Sequence, residues 1–420
     1  MPSVEGLPAR RAALQMLEAV LRRGRTLDSA AQAEKKLKPA DHALAIAISG
    51  EVLRRMPDID ALIDSATKQR LPDDSKARMV LRLALAQKVG LGTPEHALVA
   101  TALPLVDGGP RRLVHGVLGT LLRRGVPAMD EPFLPEAVER RWSEAWQKDT
   151  VASARRLITH RPPLDLSFVD DGYAAEFATR TGGRSLAARH VRLHDSGAVS
   201  QLPDFGEGRW WVQDLSASLP ARLIKASAGE VLDLCAAPGG KTMQIAAAGH
   251  RVTAVDQSET RLERLRENLN RTGLDAQLVS ADALKWSPDK QFDCVLLDAP
   301  CSATGTFRRH PEVLYRARAD IIRQSAQLQS QLLERAAGWL KPDGCLVYAV
   351  CSLEPEEGET VVTAFLDANP KFKIDPPSSC ELPDFVTSHE RGWVRILPGL
   401  LESEGGLDGF FVARLVREAS

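Results

Sequence analysis

The first part of the chain carries a helical period. In ARRAALQMLEAVLRRG the apolar positions Leu14, Leu17, Val20 and Leu21 share one face and arginines take the other, before Gly24 stops the run. The segments KPADHALAIAISGEVLRRM, SKARMVLRLALAQKVGL, TPEHALVATALPLV and GPRRLVHGVLGTLLRRG repeat that style, without β-branched alternation. Thr93-Pro94-Glu95 reads as a helix start, with Thr93 as N-cap and Pro94 as the first helical residue. An all-α domain is therefore expected over residues 1–126. Pro127, Pro132, Pro135, Pro162 and Pro163 then flank a connector with one helix, EAVERRWSEAWQ. Up to residue 225 the pattern is mixed: LDLSFVD reads as a strand, AAEFATRTG as a helix, and RWWVQDLSASLPAR leads into another. Residues 127–225 are thus read as a linker and small α/β subdomain. From Gly229 strand and helix alternate. EVLDLCAAPGGKT, RVTAVDQS, AQLVSADAL, FDCVLLDAPCSATG and GCLVYAVCSLEP each pair a short apolar strand with a loop of small or acidic residues. This predicts an α/β, Rossmann-like doubly wound domain over 226–420, with functional residues at the carboxyl ends of its strands. DGFFVARL supplies a closing strand.

Composition narrows the class. With 44% hydrophobic and 26% charged residues the chain reads as an ordinary water-soluble protein. It has neither an apolar run of membrane-spanning length nor the apolar core of a secretion signal, so a cytoplasmic location is expected. The net charge is -1, but residues 1–126 hold 20 basic against 13 acidic side chains and the remainder is net acidic. A basic front can track phosphates while the rest does chemistry; it is equally consistent with a solvated helical surface. The six cysteines (Cys235, Cys294, Cys301, Cys345, Cys351, Cys380) include no Cys-x-x-Cys pair and no His at ligand spacing. Neither a metal site nor a disulfide framework is expected.

The loop after the first strand of the alternating part, Cys235-Ala236-Ala237-Pro238-Gly239-Gly240-Lys241-Thr242, is built of small residues that let backbone approach a ligand at a helix N-terminus. A phosphate-binding P-loop needs glycine where Cys235 stands, and the dinucleotide fingerprint G-x-G-x-x-G is absent. S-adenosylmethionine (SAM) carries no phosphate and requires only a tight turn and acids for its hydroxyl and amino groups. Asp256, Asp282 and Asp298 close three successive strands and suit the ribose, the adenine and the region of the sulfonium. A single strand-end Asp is commonly a helix cap; three on consecutive strands favour a site.

The next strand ends Asp298-Ala299-Pro300-Cys301, with Cys301 where amine-methylating loops carry an aromatic residue, and the one after ends Val350-Cys351-Ser352. These loops are neighbours in such a fold, so both thiols are expected at one pocket. Either cysteine alone would read as packing; two on adjacent loops favour catalysis. Cytosine C5 is a poor nucleophile. A thiolate added at C6 makes C5 enamine-like and able to accept a methyl group, and that thiolate needs help to form from a thiol of pKa about 8.5. Asp298 is placed to hydrogen-bond the base, and Lys241 to reach the pyrimidine edge.

The segments LDLCAAPGGKT, AVDQS, ADAL, LLDAPCSATG, RRHPE and VYAVCSLEPEEGE, in that order, resemble the RsmB/Sun (Fmu) family of RNA cytosine-5 methyltransferases. DGFFVARL fits the family's closing strand. PARRAALQMLEAVLRRG, ISGEVLRRM, TPEHALVATAL and LVHGVLGTLLRR look like the NusB-like RNA-binding domain that precedes it in bacterial members. The resemblance implies SAM binding by Cys235 to Lys241, Asp256, Asp282 and Asp298, with Cys351 as nucleophile and Cys301 assisting product release. It implies a small-subunit ribosomal RNA substrate, no metal, and a monomer. A DNA cytosine-5 enzyme would instead attack with Cys301, but no large target-recognition insertion follows the loops. A silent enzyme domain on an RNA-binding module would have no reason to keep both thiols. Two departures stand out: Leu164 to Asp170 lack the family's Arg and Asn, and His115 stands where Asn is usual.

Overall fold

The computed structural model describes residues 5–194, 197–225, 227 and 229–417. Contacts group the chain into two units, where the sequence suggested three segments. One unit runs to His160 and includes Phe307–Arg316; the other holds Arg161–Thr306 and the chain from Ala317 onward. The expected edge at residue 126 falls inside the first unit, and residue 226, the other edge, lies outside the described residues.

The first unit is helical. Its helices are Leu7–Arg23, Leu27–Ala33, Pro39–Ser65, Lys76–Gly90, Glu95–Ala102, Gly108–Arg124, Glu136–Ala145 and Lys148–Leu157, with the short Val313–Arg316 in the later segment. Lys76–Gly90 is the central element, with Val80, Leu81, Leu83, Ala84, Leu85 and Ala86 buried. Its buried Arg78 and Arg82 are neutralised by Asp64 and Asp60 on Pro39–Ser65, at 2.7 Å each. That pairing lets two cations sit in a core that would otherwise exclude them. Two readings are corrected. The helix near Thr93 begins at Glu95, and Pro94, in extended backbone, is its N-cap. The connector holds a second helix, Lys148–Leu157, whose buried stripe of Val151, Ala154 and Leu157 is too short to stand out in the sequence.

The second unit holds two sheets. The smaller comprises β1 (Leu164–Phe168), β2 (His190–Leu193) and β3 (Trp210–Val212), all antiparallel in the order β2-β1-β3. Helix Asp171–Thr181, capped by Asp170, covers it over Leu166, Phe168, Phe177 and Trp210. The larger comprises β4 (Glu230–Leu234), β5 (Arg251–Asp256), β6 (Gln277–Ser280), β7 (Phe292–Asp298), β8 (Leu340–Val350), β9 (Phe372–Ile374), β10 (Val394–Ile396) and β11 (Phe410–Arg417). Its order is β10-β11-β8-β7-β4-β5-β6, with β9 also on β11. Strands β4 to β8 are parallel and β11 joins β8 antiparallel. Their core positions are continuous apolar runs, as a sheet covered on both faces requires. From β4 the chain steps first to β5 and β6 on one side, then returns to β7 and β8 on the other. That reversal opens a crevice at the carboxyl ends of β4 and β7.

Candidate active site

The turn after β4 is shaped by two residues. Cys235 has φ +59 and Gly239 φ +103. A Cβ on Gly239 would lie 2.0 Å from Leu265 Cδ1, at a φ that L side chains rarely adopt, so a substitution there is strained and must displace Leu265. The turn delivers Gly240 to the N-terminus of helix Gly240–Ala247.

At the strand ends, Asp256 is 3% exposed and accepts from Ala237 N at 3.2 Å and Ser258 N at 2.9 Å. Asp282 lies two residues beyond β6 and accepts from Leu284 N at 3.0 Å. Asp298 holds the Lys241 ammonium at 2.7 Å. Burial alone would lower the Lys241 pKa, but Asp298 outweighs it and raises it, so the ammonium stays charged. The Cys301 and Cys351 sulfurs are 3.5 Å apart. The hydrogen bond with Cys351, then burial, raises the Cys301 thiol well above its ordinary value, so Cys301 holds its proton. Burial pushes the Cys235 thiol up to about 12, which leaves it unreactive.

One cavity of about 240 Å³ gathers Cys235, Asp256, Asp282, Asp298, Cys301 and Cys351. The other residues singled out in the sequence, Ala236, Ala237, Pro238, Gly239, Gly240 and Lys241, line a second cavity of about 220 Å³. Asp298 borders both. Three carboxylates face the first cavity against one cation, Arg261. Such a wall repels phosphate and suits a neutral or cationic nucleoside. Among the described residues, no group of three or more His, Cys, Asp or Glu is arranged to hold a metal ion.

Comparison with known proteins shows the family. The profile of the 16S rRNA methyltransferase RsmB/F family matches residues 222–416, and that of the NusB family matches residues 7–123. The ribosomal RNA small subunit methyltransferase B of Vibrio cholerae is 32% identical, over 97% of each chain. The protein of the same name from Xanthomonas campestris is 34% identical, over 98% of each. The chain belongs to the RsmB/F methyltransferase family. Among solved structures, a methyltransferase homolog protein from Pyrococcus horikoshii has a TM-score of 0.56 at 26% identity, over 71% of this chain and 98% of that one. The structure of PH0851 reaches 0.73 at 23% identity, over 98% and 99%, a likeness of fold.

Two buried acids of this RsmB/F member escaped the sequence reading. Asp233 lies within β4, and burial raises its carboxyl to about 7. Its position inside an apolar strand is the only signal the sequence offers. Glu357 lies among the acids of LEPEEGE, where nothing marks that it and Glu354 turn inward while Glu356 stays exposed. In the structure Glu357 is fully buried between the two cysteine loops.

Proposed function

We propose that this chain transfers a methyl group from SAM to C5 of a cytosine in 16S rRNA through a covalent adduct between Cys351 and C6. The observation that carries the reading is the pair of thiols 3.5 Å apart, opening on a cavity walled by carboxylates. Asp256 and Asp282 would hold the ribose and adenine, and the turn Cys235 to Lys241 with Asp298 the methionine part. When bound, SAM supplies an electrophilic methyl on a positively charged sulfur.

The Cys351 thiolate bonds to C6, and the ring electrons move to C5. C5 then takes the methyl carbon. Water takes the C5 proton, and the electron pair of that C–H bond re-forms the C5–C6 double bond and expels sulfur from C6, which restores the ring and the thiolate. Cys301, which keeps its proton, assists release. Lys241 and Asp298, locked together at 2.7 Å, orient the pyrimidine edge. The reaction as written uses no metal and one copy of the chain. The helical front, residues 1–126, would hold the RNA and 127–225 contribute to its recognition, with 226–420 as the methyltransferase. Among the described residues no helix is long and apolar enough to cross a membrane, and an rRNA substrate supports a cytoplasmic location.

The test is methyl transfer from labelled SAM to deproteinised 16S rRNA, with the product read by bisulfite sequencing. Wild-type protein should protect one cytosine. Cys351→Ala should abolish transfer, and Cys301→Ala should leave an RNA–protein adduct that survives SDS. Full activity in Cys351→Ala would overturn the assignment of the nucleophile.

A further inference from the structure

Each cysteine of the pair is followed by a serine, and one buried carboxylate holds both serines. Glu357 Oε1 accepts from Ser302 N at 2.8 Å and from Gln329 Nε2 at 3.4 Å. Its Oε2 accepts from the hydroxyls of Ser302 and Ser352. Ser302 Oγ and Ser352 Oγ are themselves 3.2 Å apart, and Thr304 Oγ1 lies 3.3 Å from Ser352 Oγ. Gln329, fully buried on helix Ala319–Gly338, also donates to Pro300 O at 2.9 Å, one residue before Cys301. Glu357 and Gln329 thus touch the residues flanking Cys301 and the residue after Cys351.

We propose that Glu357 is a positioning residue for methyl transfer: through Ser302 and Ser352 its carboxylate sets the spacing and aim of the Cys301 and Cys351 sulfurs. The physical argument is one of degrees of freedom. The loops after β7 and β8 begin on paired strands, with Ala299 N bonded to Ala349 O, and touch again at Gly305 N to Cys351 O, 3.0 Å. Cys301 lies between these ties, and the backbone of Cys351 makes the second one. The carboxylate bonds both loops next to the cysteines, alongside the direct Ser302–Ser352 and Thr304–Ser352 contacts, and its four donors (Ser302 N, Ser302 Oγ, Ser352 Oγ, Gln329 Nε2) fix it in turn. A buried acid satisfied by four neutral donors is costly to keep unless its geometry is used. Small misplacements of a reacting atom cost about 100-fold in rate. The inference rests on the thiol chemistry proposed above.

The test reads the loops in two ways. The first needs no RNA: dibromobimane becomes fluorescent when it bridges two neighbouring thiols, with Cys301→Ala as background. Glu357→Ala should slow bridging of Cys301 to Cys351 about 10-fold or more, and Glu357→Gln, which keeps an acceptor and the side-chain shape, should restore it. The second measures adduct formation on rRNA in a Cys301→Ala background. Glu357→Ala should slow it about 100-fold, with SAM affinity by equilibrium dialysis unchanged and Glu357→Gln recovering most of the rate. Ser302→Ala with Ser352→Ala, which removes only two hydroxyls, repeats both readings should Glu357→Ala fail to fold. Wild-type bridging and adduct rates in a folded Glu357→Ala would overturn the proposal, as would a loss of SAM affinity equal to the loss of rate. If the Cys301→Ala protein with Glu357 intact forms no adduct, the thiol mechanism fails, while the bridging assay still decides whether Glu357 sets the spacing.

Discussion

At Asp233, Thr242 Oγ1 donates to one carboxyl oxygen at 2.6 Å, while the other oxygen has no described partner. Burial lifts this carboxyl from 3.8 to about 7. The native state therefore binds a proton that the unfolded chain has released across that interval. The stability it contributes is complete below about pH 4 and is lost as the pH rises to about 7. Asp233→Asn keeps an acceptor for Thr242 and removes the titration. Urea unfolding at pH 4, 5.5 and 7.5 should show the variant gaining on wild type across that window, by on the order of a few kcal/mol. Equal pH profiles for the two proteins would show the carboxyl to be ionised throughout. Asp298, close by on β7, instead holds a cation. The contrast shows why strand-end acids can be read from sequence and mid-strand acids cannot: only the former face a crevice that the topology predicts.

Among the elements, the small sheet shows what substitution within a familiar layout does. Asp165 on β1 and Arg192 on β2 face each other in register and are both buried, joined at 2.7 and 2.8 Å, and Leu215 N donates to the same carboxylate at 3.1 Å. An acid that read as a departure from the family pattern is thus the partner of a buried arginine. β2 went unread because its polar/apolar alternation, HVRL, runs for only four residues and places His190 and Arg192 where burial is not expected until that pairing is known. Asp165→Ala leaves a buried guanidinium uncompensated and should destabilise this unit by about 3–5 kcal/mol, measured by urea denaturation. Arg192→Met together with Asp165→Leu should recover much of the loss. The turn after β4 responds differently. Gly239→Ala places a methyl into Leu265 at a φ that side chains avoid, so SAM affinity should fall while the sheet persists, read by equilibrium dialysis and circular dichroism.

Over the whole chain, the two units interleave in sequence. Phe307–Arg316 continues directly from the loop that carries Cys301, yet it belongs to the helical unit. Phe307 is fully buried with its ring 5.5 Å from that of Trp142, and Glu312 accepts from Leu27 N at 3.0 Å. Arg54 donates to Arg308 O at 2.8 Å and Ile158 O at 2.7 Å, and Tyr315 OH to Leu53 O at 2.8 Å. Phe307→Ala should destabilise the helical unit by about 3–5 kcal/mol, seen as faster amide exchange in helix Glu136–Ala145. Unchanged exchange there would mean the segment is not part of that core.

The sequence by itself determined most of the local elements, the family, and the strand ends that carry Asp256, Asp298, Cys301 and Cys351. Hydrophobic period, small-residue turns and acids at strand ends are local signals, and parallel strand direction follows from alternation. Only the tertiary structure decided that Phe307–Arg316 belongs with the helices, that Asp165 answers Arg192, and that Glu357, of the acids around it, meets Ser302 and Ser352. Each of these is a contact between residues far apart in the chain, or a choice among chemically identical neighbours. Folding resolves both by burying one polar group against the partner that satisfies it, and no local pattern records that choice.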